Sequence, residues 1–110
     1  MPAVTLGIES DGLALPVVAG DEIIIRLPES PTTGVRWDLW QPEGPVELID
    51  DRYEQPSSGG IGASAVRVFT FHALRPGKAK LNLKRWQSWE GEASVDATFS
   101  VVLEILEGPR

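Results

Sequence analysis

A period of two governs this chain. Across residues 93–106, Val95, Ala97, Phe99, Val101, Leu103 and Ile105 fall on one face, while Ser94, Asp96, Thr98, Ser100 and Glu104 fall on the other. Extended backbone turns successive side chains to opposite faces, so the segment reads as a long strand with one buried face. Residues 78–85 repeat the pattern, with Ala79, Leu81 and Leu83 inward and Lys80, Asn82 and Lys84 outward. Just before them, Arg75-Pro76-Gly77 is a turn signal, because proline fixes φ and glycine tolerates positive φ. Upstream of the turn, Phe69, Phe71 and Ala73 alternate with Val68, Thr70 and His72, which gives a third strand.

The first half follows the same rule. Residues 4–8 suggest an edge strand, and Ile23, Ile25 and Leu27 share a face of a β-branched run. Val35, Trp37 and Leu39 alternate with Arg36, Asp38 and Trp40, and 46–49 is a short strand. Helical patterning is nearly absent. About seven strands with frequent turn signals predict an all-β, immunoglobulin-like antiparallel β-sandwich with Greek-key connections. At 110 residues and 42% apolar, with four tryptophans, one domain over 1–110 can build an adequate core without covalent staples.

Composition removes several function classes. There is no cysteine, hence no disulfide, thiolate metal site or cysteine nucleophile. A net charge of −6 repels nucleic acid. The N-terminal residues carry neither a basic nor an apolar leader signature, and no segment approaches membrane-spanning length. The expected compartment is the cytoplasm, or the periplasm or exterior for a mature fragment.

Three connections exceed the short turns: 28–34, 55–63 and 87–92. In a seven-strand Greek-key sandwich they are the second-to-third, fourth-to-fifth and sixth-to-seventh links, which emerge at the same end. They would make one surface from segments far apart in sequence.

Other chemistry is poorly supported. His72 is the only histidine and lies mid-strand, away from those connections, so no nucleophile–base pair is recognisable. Gly59-Gly60-Ile61-Gly62 precedes a strand, whereas a phosphate-binding loop leads into a helix. Asp50, Asp51 and Glu54 have the wrong spacing for a calcium loop. No cofactor or metal is expected. Lys78, Lys80, Lys84 and Arg85 read first as a solvated strand face that discourages aggregation. Trp37 belongs with the core residues of its strand. Trp86 stands at a loop entrance and Trp89 within the loop, where an indole is either a cap over the sandwich end or a binding contact.

Ser30-Pro31-Thr32-Thr33-Gly34-Val35-Arg36-Trp37 resembles the Asn-Pro-Thr-Thr-Gly-aromatic-x-Trp signature of chagasin-type inhibitors of papain-like cysteine proteases. Gly59-Gly60-Ile61-Gly62 with its following strand resembles the family's second loop. Lys84-Arg85-Trp86 before a loop and a closing strand resembles its Arg-Pro-Trp motif. Ser30 and Val35 depart from the signature, and no proline follows Arg85. The resemblance implies a reversible, one-to-one inhibitor that acts as a monomer. Pro31, Thr32, Thr33 and Gly34 would enter the protease cleft, with Thr32 and Thr33 over its catalytic cysteine and histidine. Gly59, Gly60, Ile61 and Gly62 would grip one side, and Arg85 with Trp86 or Trp89 the other. Trp86 is the favoured indole because it keeps its arginine neighbour. The alternative is a non-inhibitory interaction module using the same loops or the basic strand face.

Overall fold

A computed structural model describes residues 3–29, 35–40, 42–54 and 65–108. Among them eight strands form: β1 Ala3–Leu6, β2 Ala14–Val18, β3 Glu22–Glu29, β4 Arg36–Leu39, β5 Val46–Glu54, β6 Ala65–Ala73, β7 Gly77–Trp86 and β8 Ala97–Leu106. They make two four-stranded sheets, ordered β1-β3-β6-β5 and β2-β8-β7-β4. The sandwich expected from the alternation is present. The inward phase is buried throughout: Ile23, Ile25, Leu27, Phe69, Phe71, Trp37, Leu81, Leu83, Phe99 and Leu103 are each at most 1% exposed. Truncating one of the large members, such as Phe99→Ala, costs about 3–5 kcal/mol.

Four details differ from the sequence expectation. β2 is an additional strand, and it pairs parallel with β8 over Ala14↔Val102 to Val18↔Leu106. β1 likewise runs parallel to β3, so the two edges contributed by the N-terminal segment are not antiparallel. A 3-10 turn at Ile8–Ser10 lets the chain cross between the sheets instead of reversing within one. β5 extends to Glu54, with a register irregularity between Leu48 and Asp50. Its charged residues are tolerated because it is an exposed edge. Finally, β8 begins at Ala97 rather than at residue 93, because Glu92–Ser94 forms a 3-10 turn. The Ser94 hydroxyl is bonded locally to that loop's own backbone, an alternative that serine offers to a strand ladder.

Candidate functional site

The strand registers gather the roots of all three long connections. In the first sheet Glu29 faces Ala65, and Glu54 faces Val66. In the second, Arg36 faces Trp86 and Arg85 faces Ala97. The two sheets meet at this end. The Trp37 indole N–H donates to the Pro28 carbonyl at 3.0 Å, and its backbone N–H donates to Glu29 Oε1 at 2.6 Å. The connections 30–35, 55–64 and 87–96 are therefore rooted at one pole. Pro31, Thr32, Thr33, Gly34, Gly59, Gly60, Ile61 and Gly62 lie outside the described residues.

The third connection is described and well ordered by its own bonds. Two 3-10 turns, Ser88–Glu90 and Glu92–Ser94, flank Gly91, whose φ of 76° is a conformation that suits glycine. Gln87 N–H donates to Ser94 Oγ at 3.0 Å, and the Ser94 hydroxyl lies 2.9 Å from the Gln87 carbonyl and 2.7 Å from that of Gly91. Asp96 closes the base, its N–H donating to the Arg85 carbonyl at 3.0 Å. Its carboxylate accepts from Arg85 Nε at 2.8 Å and Nη2 at 3.2 Å. Arg85 thus braces the loop's base.

The two candidate indoles have different surroundings. Trp86 is half-buried, donates from Nε1 to Asp38 Oδ2 at 2.7 Å, and lies against the Lys84 ammonium, 3.6 Å from its ring centroid. That ammonium also faces Trp40 at 4.6 Å and is ion-paired with Glu92 of the loop. Trp89 is 67% exposed, the highest value among the exposed large hydrophobic residues described. Lys84 is itself buried, 6% exposed, which corrects its place in a solvated basic stripe. Lys78 and Lys80 remain exposed, so the basic face is smaller than the alternation suggested.

Between the ends of β3, β4 and β6 lies a charged group that the sequence expectation did not include. Glu29 is 2% exposed, and its Oε1 accepts from Arg67 Nη1 at 3.3 Å as well as from Trp37. Arg67 also donates to both Asp51 oxygens, at 2.5 and 2.8 Å, and packs over the Tyr53 and Phe69 rings. The hydrogen bond to Asp51 raises the guanidinium pKa above its ordinary value, against the opposing effect of burial. Burial, then the engagement of the Tyr53 hydroxyl with Glu29, raises the phenol pKa. A signal was available: Glu29 continues the phase of Ile23, Ile25 and Leu27, and Arg67 that of Phe69 and Phe71.

The remaining candidates form no chemical centre among the described residues. His72 pairs across to Glu22 and Glu47 toward the opposite end. Asp50, Asp51 and Glu54 are ion-paired with Arg52, Arg67 and Arg26 respectively. No metal-binding group of three or more His, Cys, Asp or Glu occurs among the described residues. No helix in that set is long and apolar enough to cross a membrane.

Comparison with known proteins converges on one family. The family model described as chagasin family peptidase inhibitor I42 matches residues 17–103. Chagasin of Trypanosoma cruzi is 29% identical over 99 residues, covering 86% of this chain and 90% of its own. The fold is similar to that of the cysteine protease inhibitor EhICP2 from Entamoeba histolytica, with a TM-score of 0.86 at 22% identity, covering 96% of this chain and 97% of that one. PbICP-C, solved in complex with falcipain-2, has a TM-score of 0.65 at 12% identity, with 96% and 100% of the chains covered.

Proposed function

The chain belongs to the chagasin family of peptidase inhibitors, and from that premise we propose that its loop pole reversibly closes the active-site cleft of papain-like cysteine peptidases, one-to-one and as a monomer. The observation that carries the reading is the convergence of six strand ends, the roots of three connections, at one pole. The names of EhICP2, a cysteine protease inhibitor, and of the PbICP-C complex with falcipain-2 support the target class.

Each connection has a part. Pro31, Thr32, Thr33 and Gly34 enter the cleft, with Thr32 and Thr33 over the catalytic cysteine and histidine. Pro31 pre-sets φ, and strands β3 and β4 hold both ends, so little entropy is lost on docking. Gly59, Gly60, Ile61 and Gly62 hold one side of the cleft. On the other side Trp89 makes the contact, because it is exposed at 67%. Arg85 braces that loop's base through Asp96, and Trp86 is held at its entrance by Asp38 of β4. Together the three could cover about 800 Å² per partner, the usual size for a protease–inhibitor complex. No chemical step or cofactor is involved: the chain blocks a peptidase and is not itself an enzyme.

Titration against papain or a cathepsin-L-like peptidase tests this. Inhibition is expected well below about 10 μM, and its absence against several such enzymes at that concentration, where a binding energy of roughly −7 kcal/mol would register, overturns the reading.

A further inference from the structure

We propose that Glu29 is a positioning residue whose buried carboxylate ties the roots of the first two connections together, so that they meet a peptidase as one pre-set surface. The inference rests on the inhibitory reading above and deepens it. Strands β3, β4 and β6 meet at this carboxylate, and β5 is tied to it through Arg67. Glu29 is the last residue of β3. It accepts the backbone N–H of Trp37 from β4, in the opposite sheet, at 2.6 Å. Arg67 of β6 donates to it at 3.3 Å and holds Asp51 of β5 with its other nitrogens. β3 and β4 flank the first connection, and β5 and β6 flank the second.

Stability alone is a poor reason for this arrangement. Replacing a buried ion pair by apolar groups of similar size is often neutral or stabilising. Leu27, two residues earlier on the same face, is fully buried, so an apolar side chain at 29 would continue the core. The carboxylate also leaves one oxygen, Oε2, buried and without a hydrogen-bond partner among the described residues, which is unfavourable. What an apolar side chain cannot do is fix β4 against β3 and β6 by directed bonds. Fixing those distances sets the span that each connection must close, and thus how much ordering remains for docking.

Two variants test the tie. Glu29→Gln keeps the shape and an acceptor for Trp37 but removes the charge that holds Arg67. Asp51→Asn weakens the hold of β5 on Arg67 near the root of the second connection. In Asp51→Asn, hydrogen exchange at the Trp37 amide, in the other sheet and beside the first connection, should accelerate at least about fivefold beyond any change in the most protected core amides. An unchanged rate overturns the tie, and this measurement needs no peptidase. Against a peptidase that the wild type inhibits, Glu29→Gln should associate about tenfold more slowly per folded molecule, with a smaller change in dissociation. Unchanged association by a folded variant overturns the functional part. A wild type that inhibits nothing defeats the inhibitory reading and with it the role in docking, while the exchange result stands or falls separately.

Discussion

The two poles of the sandwich solve the same problem, reversing the chain, by different chemistry. At the pole away from the long connections, the backbone supplies most of the closing bonds. Gly20 N–H donates to the Ala73 carbonyl at 2.8 Å, Ala73 N–H to Asp21 at 3.0 Å, and Leu74 N–H to Pro45 at 2.9 Å. At the loop pole, buried or half-buried side chains carry the load: Glu29 and Arg67 under one sheet's end, and Lys84, Trp86 and Arg85 at the other's. A tight turn satisfies its own peptide groups, whereas long connections leave their roots to be braced by side chains. On the proposed reading, the first pole serves the fold and the second serves recognition. A substitution at one should separate stability from inhibition in the opposite sense to a substitution at the other.

The largest separation is expected at Gly44. Its φ is +91°, and a Cβ there would sit 2.3 Å from the Lys78 carbonyl oxygen and 2.7 Å from Ala79 Cα. Both obstacles are backbone and cannot rotate away. Gly44→Ala should lower unfolding free energy by about 3 kcal/mol in denaturant titration while inhibition per folded molecule stays unchanged. Weakened inhibition by the folded fraction would break the division between the poles. Trp89→Ala is its converse: it should weaken inhibition about 100-fold, or about 2.7 kcal/mol, with an almost unchanged melting temperature. If Trp86→Ala reproduces that loss without destabilising the protein, the favoured contact returns to Trp86.

How far these differences were legible in the sequence depends on where the information lies. Alternation is local, so β3, β4, β6, β7 and most of β8 could be read directly. The gathering of the long connections at one end followed from strand order. β2 was hidden because Pro16 interrupts an already mixed segment, and its pairing partner lies at Val102–Leu106. Proline is tolerated there because β2 is an edge strand,. Lys84 sits in the polar phase of β7, and the approach of Trp40, Trp86 and Glu92, from outside its strand's local pattern, takes it out of the solvated face. Glu29 was different: its phase marked it as inward, but its partners come from two other strands, β4 and β6.

A smaller effect is expected at Lys84. Lys84→Met removes the link to Glu92 but keeps a flexible apolar side chain between two indoles. Since Glu92 is 69% exposed at its side chain, water can replace the lost partner. Unfolding free energy should change by no more than about 1 kcal/mol. Association with the peptidase should slow about fivefold, because the connection carrying Trp89 loses one brace. A large stability loss with unchanged association would move Lys84 to the structural side of the division.

The smallest effect belongs to a pair at the loop pole that is not buried. Arg26 holds Glu54 by hydrogen bonds at 3.0 and 2.5 Å, with both side chains more than one-third exposed. That hydrogen bonding lowers the Glu54 pKa below its ordinary 4.5. A carboxylate with a depressed folded-state pKa contributes stability above its unfolded pKa, and the contribution is lost as pH falls through the folded value. Glu54→Gln should therefore match the wild type below that range and be slightly less stable near neutrality, with a shallower acid limb. Added salt should narrow the gap, because solvent and ions screen an exposed pair. The same variant should leave peptidase association unchanged, although Glu54 ends the strand that leads into the second connection. Slowing comparable to that of Glu29→Gln would mean that charge anywhere near these roots matters, and that burial is not what distinguishes Glu29.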